Sequence, residues 1–198
     1  MASEANLKAA IDRGLADAET LVTWLRDAER AYGVIAAMGG HLAECLARGG
    51  RILTCGNGGS MTDAMHFAQE LSGRFRADRP ALAAQAISDP SHLTCAANDY
   101  GFERVFARGV EAWGKSGDAL LVFSTSGNSP NVVAAVEAAR TRGLLVLGLL
   151  GRDGGVLKTT CDHVVVVPGS TSDRIQEIHI KIAHLLIEQI EMRLFGAS

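Results

Sequence analysis

Short, continuous runs of apolar residues alternate with helix-like segments along most of this chain. The clearest runs are residues 119–124 (ALLVFS), 144–150 (LLVLGLL) and 163–167 (HVVVV); residues 51–55 (RILTC) and, more weakly, 82–87 (LAAQAI) are similar. Strands that are apolar at every position are buried on both faces, which is typical of a parallel sheet covered by helices. We therefore predict a doubly wound α/β domain with a parallel five-stranded sheet.

The segments between these runs favour helices. After the first run, the pattern predicts helices at residues 60–73, 102–113, 130–142 and 173–195. Before it, residues 3–48 look helical throughout, with apolar side chains at helical spacing: Leu21, Trp24, Leu25, Ile35, Met38, Leu42 and Leu46. In that segment Gly33 and Gly39-Gly40 are candidate breaks. The sequence thus predicts an N-terminal helical extension on the α/β core, with residues 1–198 as one domain.

Composition excludes several classes of protein. The chain has 198 residues and is 47% hydrophobic, which is enough for one domain with a sizeable core. Its net charge of −3 gives no basic surface for nucleic acid. No basic, apolar leader is present, and no apolar run is long enough to span a bilayer. The cysteines are scattered without a CxxC pair, so we expect reduced packing residues and a cytoplasmic protein: Cys45, Cys55, Cys95 and Cys161.

Two small, polar loops follow strands and lead directly into helices. The first is residues 56–60 (GNGGS) and the second is residues 124–130 (STSGNSP). Glycine allows close approach of the backbone, and free N–H groups at a helix start favour an anion, so a phosphate group is the expected guest. The alternative is an ordinary turn with a helix cap. Neither loop has the GK[ST] of a P-loop, which disfavours a nucleoside triphosphate.

Titratable side chains cluster on two predicted helices. His66 and Glu70 lie four residues apart on one helix face, a spacing that suits a zinc site, a general base or a surface hydrogen bond. The last helix carries Asp173, Gln176, His179 and His184, and its histidines could equally be core residues. Asn98-Asp99 is expected in a loop, where it would bind sugar hydroxyls or cap the next helix.

Taken together, these motifs resemble those of one family. CGNGGS, DAMHFAQEL, AISD, ANDYGF, STSGNSPN, GRDGG and DRIQEIHIKIAH are similar to the phosphoheptose isomerases of the sugar isomerase (SIS) domain family, over nearly the whole chain. The resemblance implies a flavodoxin-like SIS fold and isomerisation of sedoheptulose 7-phosphate to D-glycero-D-manno-heptose 7-phosphate. That reaction is the first step of nucleotide-activated heptose biosynthesis, which supplies glycans such as lipopolysaccharide.

The resemblance also implies roles for individual residues. Phosphate would be held by Ser124, Thr125, Ser126 and Ser129, with help from Ser60. The sugar chain would contact Asn57, Gly58, Gly59, Asn98 and Asp99, with Asp173 orienting the substrate. One zinc ion per subunit would be bound by His66, Glu70, Gln176 and His184. Of these, Glu70 and His184 would also transfer protons, and Glu70 and Gln176 would also contact substrate.

The resemblance implies a homotetramer with active sites shared between subunits, and one pair of residues bears on this. Gln176 and His184 are eight residues apart, about 12 Å of rise on a straight helix. Two ligands of one metal must lie closer, so either the helix begins after Gln176 or the two residues come from different subunits. In the second case the apolar face of residues 1–48 would be an interface rather than core.

Two segments of the chain bear on the comparison with the family, and the sequence leaves two alternative functions open. The family commonly has HFAEE where this chain has HFAQE, and Gln69 is not a predicted ligand, so we expect little effect. The PGSTS segment before Asp173 is expected to be variable and to change the loop on the substrate side. One alternative is a non-enzymatic SIS scaffold like the replication-initiator-associating proteins, which have no need of His66, Glu70 and His184 together. The other is an isomerase of a different phosphosugar, because phosphate loops do not count carbons.

Overall fold

The computed structural model describes residues 2–196, which form a five-stranded sheet and eight α-helices. The strands are β1 (Ile52–Gly56), β2 (Ala84–Ala86), β3 (Ala119–Ser124), β4 (Leu145–Gly151) and β5 (His163–Val167). The helices are α1 (Glu4–Asp27), α2 (Glu29–Ala47), α3 (Gly59–Ser72), α4 (Pro90–Tyr100), α5 (Val105–Trp113), α6 (Pro130–Thr141), α7 (Leu157–Thr160) and α8 (Ser172–Phe195). A short 3₁₀ turn, Phe102–Arg104, precedes α5.

The sheet is entirely parallel and has the strand order β2-β1-β3-β4-β5. Alternate residues of its central strands enter two separate cores. Leu121 and Leu147 face the core that α1, α2, α3 and α8 cover, whereas Leu120 and Val146 face the core under α5 and α6. The continuous apolar strands are therefore explained by burial on both faces, and the predicted doubly wound α/β fold is confirmed.

The N-terminal segment is two helices because the chain bends at Ala28, not at a glycine. Gly33, Gly39 and Gly40, the candidate breaks, all lie inside α2. Gly39 is required for close packing: a Cβ atom there would lie 2.7 Å from the side-chain oxygen of Gln189 on α8. The prediction of breaks at these glycines was wrong, because at least one of them serves helix–helix contact.

Most of the apolar face of the N-terminal helices is core. Leu21, Ile35, Met38 and Leu42 are buried against α8 and the sheet within the same chain. The expectation that this face forms an interface rather than core was therefore wrong for these residues. A different stripe is exposed on the first half of α1, made of Leu7, Ile11 and Leu15.

Helix α4 was not predicted, although its start signals are present. Asp89 caps the helix by accepting a hydrogen bond from the N–H of His92 at 2.8 Å, and Pro90 occupies the first turn. Asn98 and Asp99 lie in its last turn, so their predicted loop position was wrong. The segment lacks a clear apolar period because Ala96 is its one buried residue. Cys95, expected to pack inside, is exposed.

No helix within residues 2–196 combines the length and the apolar character needed to cross a membrane.

Candidate active site

The loops that follow β1 and β3 lie side by side. The chain leaves β1 for β2 on one side and returns to β3 on the other, so strand order reverses between β1 and β3. In open parallel sheets, this point at the carboxyl ends of the strands is where ligands bind. Residues 57–58 and 125–129, the two polar loops of the sequence, border it.

The loop after β1 is shaped by glycine. Gly58 has a φ of 56°, which favours glycine, and caps α3 without a side-chain hydrogen bond. A Cβ atom at Gly59 would lie 2.5 Å from the side-chain oxygen of Gln176 on α8. The start of α3 can therefore contact α8 closely, and Gln176 lies against this loop. Ser60 is buried in the first turn of α3.

The loop after β3 folds around its own hydroxyl groups. Ser124 is buried and accepts a hydrogen bond from the N–H of Gly127 at 3.0 Å, and Ser126 accepts one from the N–H of Asn128 at 3.2 Å. Thr125 bonds the hydroxyl of Ser172, at the start of α8, over 3.1 Å. Ser129 precedes α6 and makes no capping bond with its side chain. The loop thus presents neutral donors at a helix N-terminus, an arrangement that suits a phosphate group.

An amide pair ties the two loops together, and the sequence did not reveal it. Asn57 and Asn131 donate to each other's side-chain oxygen, both at 2.8 Å, and Asn131 is 2% exposed. Asn57 was expected to contact sugar, but this pairing occupies its amide oxygen and one of its amide hydrogens. Its side chain therefore positions the loops, and a ligand contact is left chiefly to its backbone. The sequence feature that could have indicated this pair is Asn131, which directly follows STSGNSP.

His66, Glu70 and His184 meet at the junction of α3 and α8. His66 Nε2 lies 3.2 Å from Glu70 Oε1 and 3.3 Å from His184 Nε2. The ring of Phe75 stacks on His184 with the ring centroids 5.6 Å apart. Burial, and then the neighbouring His66, lower the pKa of His184. His184 is therefore neutral at physiological pH, the form that can accept a proton or bind a metal.

The other predicted site residues lie outside the cluster of His66, Glu70 and His184. Asp173 is exposed at the start of α8, and a hydrogen bond from the Thr171 hydroxyl lowers its pKa. Asn98 donates to Asp99 at 2.8 Å, and both side chains are exposed on α4. His179 is completely buried; it donates from Nε2 to the carbonyl of Leu150. His179 is therefore a core residue, the alternative that the sequence had left open.

The comparisons decide the family. The pattern of the SIS domain family matches residues 18–151. The phosphoheptose isomerase of Fusobacterium nucleatum is 58% identical over 154 residues, which cover 78% of this chain and 79% of that protein. The chain belongs to the phosphoheptose isomerase family of SIS-domain proteins. The phosphoheptose isomerase of Photorhabdus laumondii is 51% identical to this chain, and the match covers 91% of this chain and 93% of that protein. The structure of the phosphoheptose isomerase from Neisseria gonorrhoeae superposes on this chain with a TM-score of 0.86 and 39% sequence identity. The match covers 93% of this chain and 98% of that one.

The extent of α8 excludes one of the two explanations for how Gln176 and His184 could bind the same metal ion. Helix α8 begins at Ser172, so Gln176 and His184 lie on one continuous helix. Their separation along the axis is about 12 Å. The option in which the helix starts after Gln176 was wrong. A metal bound by both residues would need one of them from a second chain.

The donor types of His66, Glu70 and His184 suit zinc, and so do the two donor separations at His66. Tetrahedral zinc with ligands at about 2.0–2.1 Å has donors about 3.3 Å apart. The two donor separations at His66, 3.2 Å to Glu70 and 3.3 Å to His184, are close to this value. Within residues 2–196, no group of three or more His, Cys, Asp or Glu side chains is arranged to hold a metal ion by itself. The two separations at His66 therefore suit zinc, and binding by all three side chains would need a further ligand and a change in their arrangement.

Several cavities of the single chain lie away from the predicted site residues. Four of them, of about 190 to 330 Å³, are lined by none of the predicted site residues. The largest lies between residues 76–79 and the end of α8. A cleft closed by a second chain would be open in a single chain, so cavity volume does not locate a site of that kind.

Proposed function

We propose that this enzyme converts sedoheptulose 7-phosphate to D-glycero-D-manno-heptose 7-phosphate through an enediolate. The observation that carries the proposal is the contact of His66 with both Glu70 and His184, in a chain whose relatives are phosphoheptose isomerases. Membership of this family also speaks against the scaffold alternative.

Phosphate binding would anchor the substrate away from the reacting carbons. The hydroxyls of the loop after β3 and the N-terminus of α6 supply neutral donors for it. The hydroxyl-bearing residues are Ser124, Thr125, Ser126 and Ser129, with Ser60 in the adjacent loop. Binding energy from this remote group can be used to position the other end of the sugar at Glu70 and His184.

Glu70 and His184 would carry the proton transfers. Glu70 removes a proton from carbon 1 of the ketose, which gives the enediolate, and returns a proton to carbon 2. The hydroxyl proton of oxygen 1 must leave while oxygen 2 gains one, and neutral His184 can move this proton between the two oxygens. When bound, a zinc ion would polarise these oxygens and favour proton removal.

The active enzyme would be a homotetramer with its sites between subunits. Gln176 and His184 cannot meet on one helix, so one chain would supply Gln176 and another would supply His66, Glu70 and His184. The exposed apolar stripe of α1 provides a surface for such contacts.

Turnover of purified protein tests this proposal. Sedoheptulose 7-phosphate and a ketohexose 6-phosphate are supplied separately, and aldose formation is followed by NMR, before and after chelation and after zinc is added back. We expect turnover of the heptulose, loss on chelation, return with zinc, and bound zinc that is lost in His66→Ala. Turnover of the hexulose alone would support the other phosphosugar. Activity that survives complete metal removal would contradict the zinc site.

A further inference from the structure

The side chain of Arg79 lies buried between the end of α3 and the last turns of α8. Only 5% of it is exposed, which is unusual for arginine outside a paired or coordinating position. Its Nε donates to the carboxylate of Glu191 on α8 at 2.8 Å. Its charge is thereby balanced by a group on the helix that also carries His184.

The other end of the guanidinium group holds the backbone of α3. Nη2 donates to the carbonyl oxygen of Glu70 at 2.7 Å. Nη1 donates to the carbonyl oxygens of Leu71 at 2.7 Å and Gly73 at 3.0 Å. One planar side chain thus bonds successive parts of the helix end, including the backbone of the proposed catalytic base.

The end of α3 needs such a partner. The last carbonyl groups of a helix have no partner within it, and the negative end of the helix dipole favours a cation. Helix α3 has no basic residue in its last turn. Arg79 supplies both the missing donors and the missing charge from a loop beyond the helix. Lysine could not reproduce this contact, because it lacks the rigid, planar arrangement of donors.

The same contacts link the two helices that carry the reacting residues. Glu191 lies seven residues after His184, two turns along α8, and Glu70 is bonded through its own carbonyl. We propose that Arg79 is a positioning residue that fixes the end of α3 against α8 and so holds Glu70 at His184. This inference rests on the proposed function.

Steady-state kinetics of Arg79→Met on sedoheptulose 7-phosphate test the proposal. We expect kcat to fall at least about tenfold, because small displacements of a catalytic group have effects of this size or more. KM should change by less than about threefold. The phosphate loop after β3 makes no contact with Arg79, so binding that is equal for substrate and transition state should be retained. Arg79→Lys should fall between Arg79→Met and the wild type.

Arg76→Met is the matched control. Arg76 bonds Glu188, so it joins the same loop to the same helix, but its side chain is 64% exposed and contacts no carbonyl of α3. We expect a smaller fall in kcat for this variant, because it keeps every bond to the carbonyls of α3, although Arg76 also lies over the ring of Phe75 beside His184. If Arg79→Met does not fold, Arg79→Lys and Glu191→Gln carry the test, and both should lower kcat more than Arg76→Met does. Equal kcat in all of these variants would overturn the proposal, as would a rise in KM with unchanged kcat.

Hydrogen exchange separates this inference from the proposed function. Amide protection at residues 66–73 should fall in Arg79→Met and not in Arg76→Met, whatever the substrate is. If the wild type fails to turn over sedoheptulose 7-phosphate, the proposed function fails while this measurement still tests the anchoring of α3. Unchanged protection in Arg79→Met would overturn the anchoring itself.

Discussion

Single polar residues in the core of this protein are used to position the loops and helices of the site. Asn131 illustrates this, because its buried amide gives one hydrogen bond to Asn57 and accepts one from it, and so joins the loops after β1 and β3. His179 is another case, since it bonds the carbonyl of Leu150 at the carboxyl end of β4. Its second ring nitrogen, Nδ1, is buried without a hydrogen-bond partner. A buried nitrogen without a hydrogen-bond partner lowers the free energy of unfolding, because its lost bond to water is not replaced.

Burial of His179 should make the protein less stable in mild acid. Burial lowers the pKa of His179 to about 4, from an ordinary value of 6.5. The unfolded chain therefore takes up this proton first, so stability is present above pH 6.5 and is lost as pH falls toward 4. Between about pH 7.5 and pH 5, this contribution to the unfolding free energy should fall by about 2 kcal/mol. Urea unfolding of wild type and His179→Gln at both pH values measures it.

The difference between the two proteins is the informative quantity in that experiment. Asp63, whose pKa burial raises to about 6, has the opposite effect on pH dependence but is common to both proteins. Glutamine keeps a donor for Leu150 and does not titrate. Identical pH dependence in wild type and His179→Gln would mean that His179 is not buried in its neutral form.

Secondary-structure elements were predictable where burial imposed a pattern. Strands β3 and β5 have the predicted bounds and β1 and β4 differ by one residue at each end, because strands buried on both faces are apolar throughout. Edge strand β2 is three residues long and half-buried, so its signal was weak. Helix α4 was missed because it turns almost all of its surface to solvent.

The contacts between elements were not predictable from the sequence. His66 and Glu70 are visible as a pair four residues apart, but nothing in the sequence places His184 against them. Arg79 shows the same difficulty, since its partner Glu191 is 112 residues away. Contacts of this range depend on how α3 and α8 pack on the sheet, which local periodicity does not specify. The family resemblance supplied His184, and it did not supply Arg79 or Asn131.

The packing of α2 against α8 can be tested with two glycines of one helix. Gly33→Ala should stabilise the protein by about 0.5–1 kcal/mol, because nothing lies within 4 Å of the new Cβ atom and alanine favours helix. Gly39→Ala should destabilise it by about 1–3 kcal/mol, because the Cβ atom would meet Gln189 Cβ at 2.9 Å. Urea unfolding of both variants measures these changes. Equal stabilisation by both would show that α2 and α8 are not so closely packed.

At the scale of the whole molecule, the exposed stripe on α1 and the spacing of Gln176 and His184 on α8 both favour the proposed assembly with a second chain. Leu7, Ile11 and Leu15 recur every four residues and are 57%, 62% and 66% exposed. A row of this kind on one helix face is suited to association with another copy. The site would then depend on assembly, because Gln176 and His184 of one chain are about 12 Å apart.

Charge placed in this stripe should dissociate the oligomer and lower its activity together. Ile11→Glu puts a carboxylate in the centre of the stripe, and sedimentation velocity should show smaller species than for the wild type. Turnover should fall with the loss of assembled sites. Glu4→Gln is the control, because it changes charge at the exposed start of the same helix. An Ile11→Glu protein that sediments and reacts like wild type would contradict the assignment of this surface.

In the proposed mechanism, Glu70 removes a proton from a heptulose phosphate at a site completed by His66 and His184. The most direct measurement is NMR of sedoheptulose 7-phosphate in D₂O with wild type and with Glu70→Gln, together with calorimetric binding of the substrate. We predict that wild type forms the aldose, with deuterium at carbon 2 in the turnovers in which the proton on Glu70 exchanges with solvent. Glu70→Gln should bind substrate but react at least about a hundredfold more slowly. Turnover by Glu70→Gln at a rate near that of the wild type would contradict the role of Glu70 as the base.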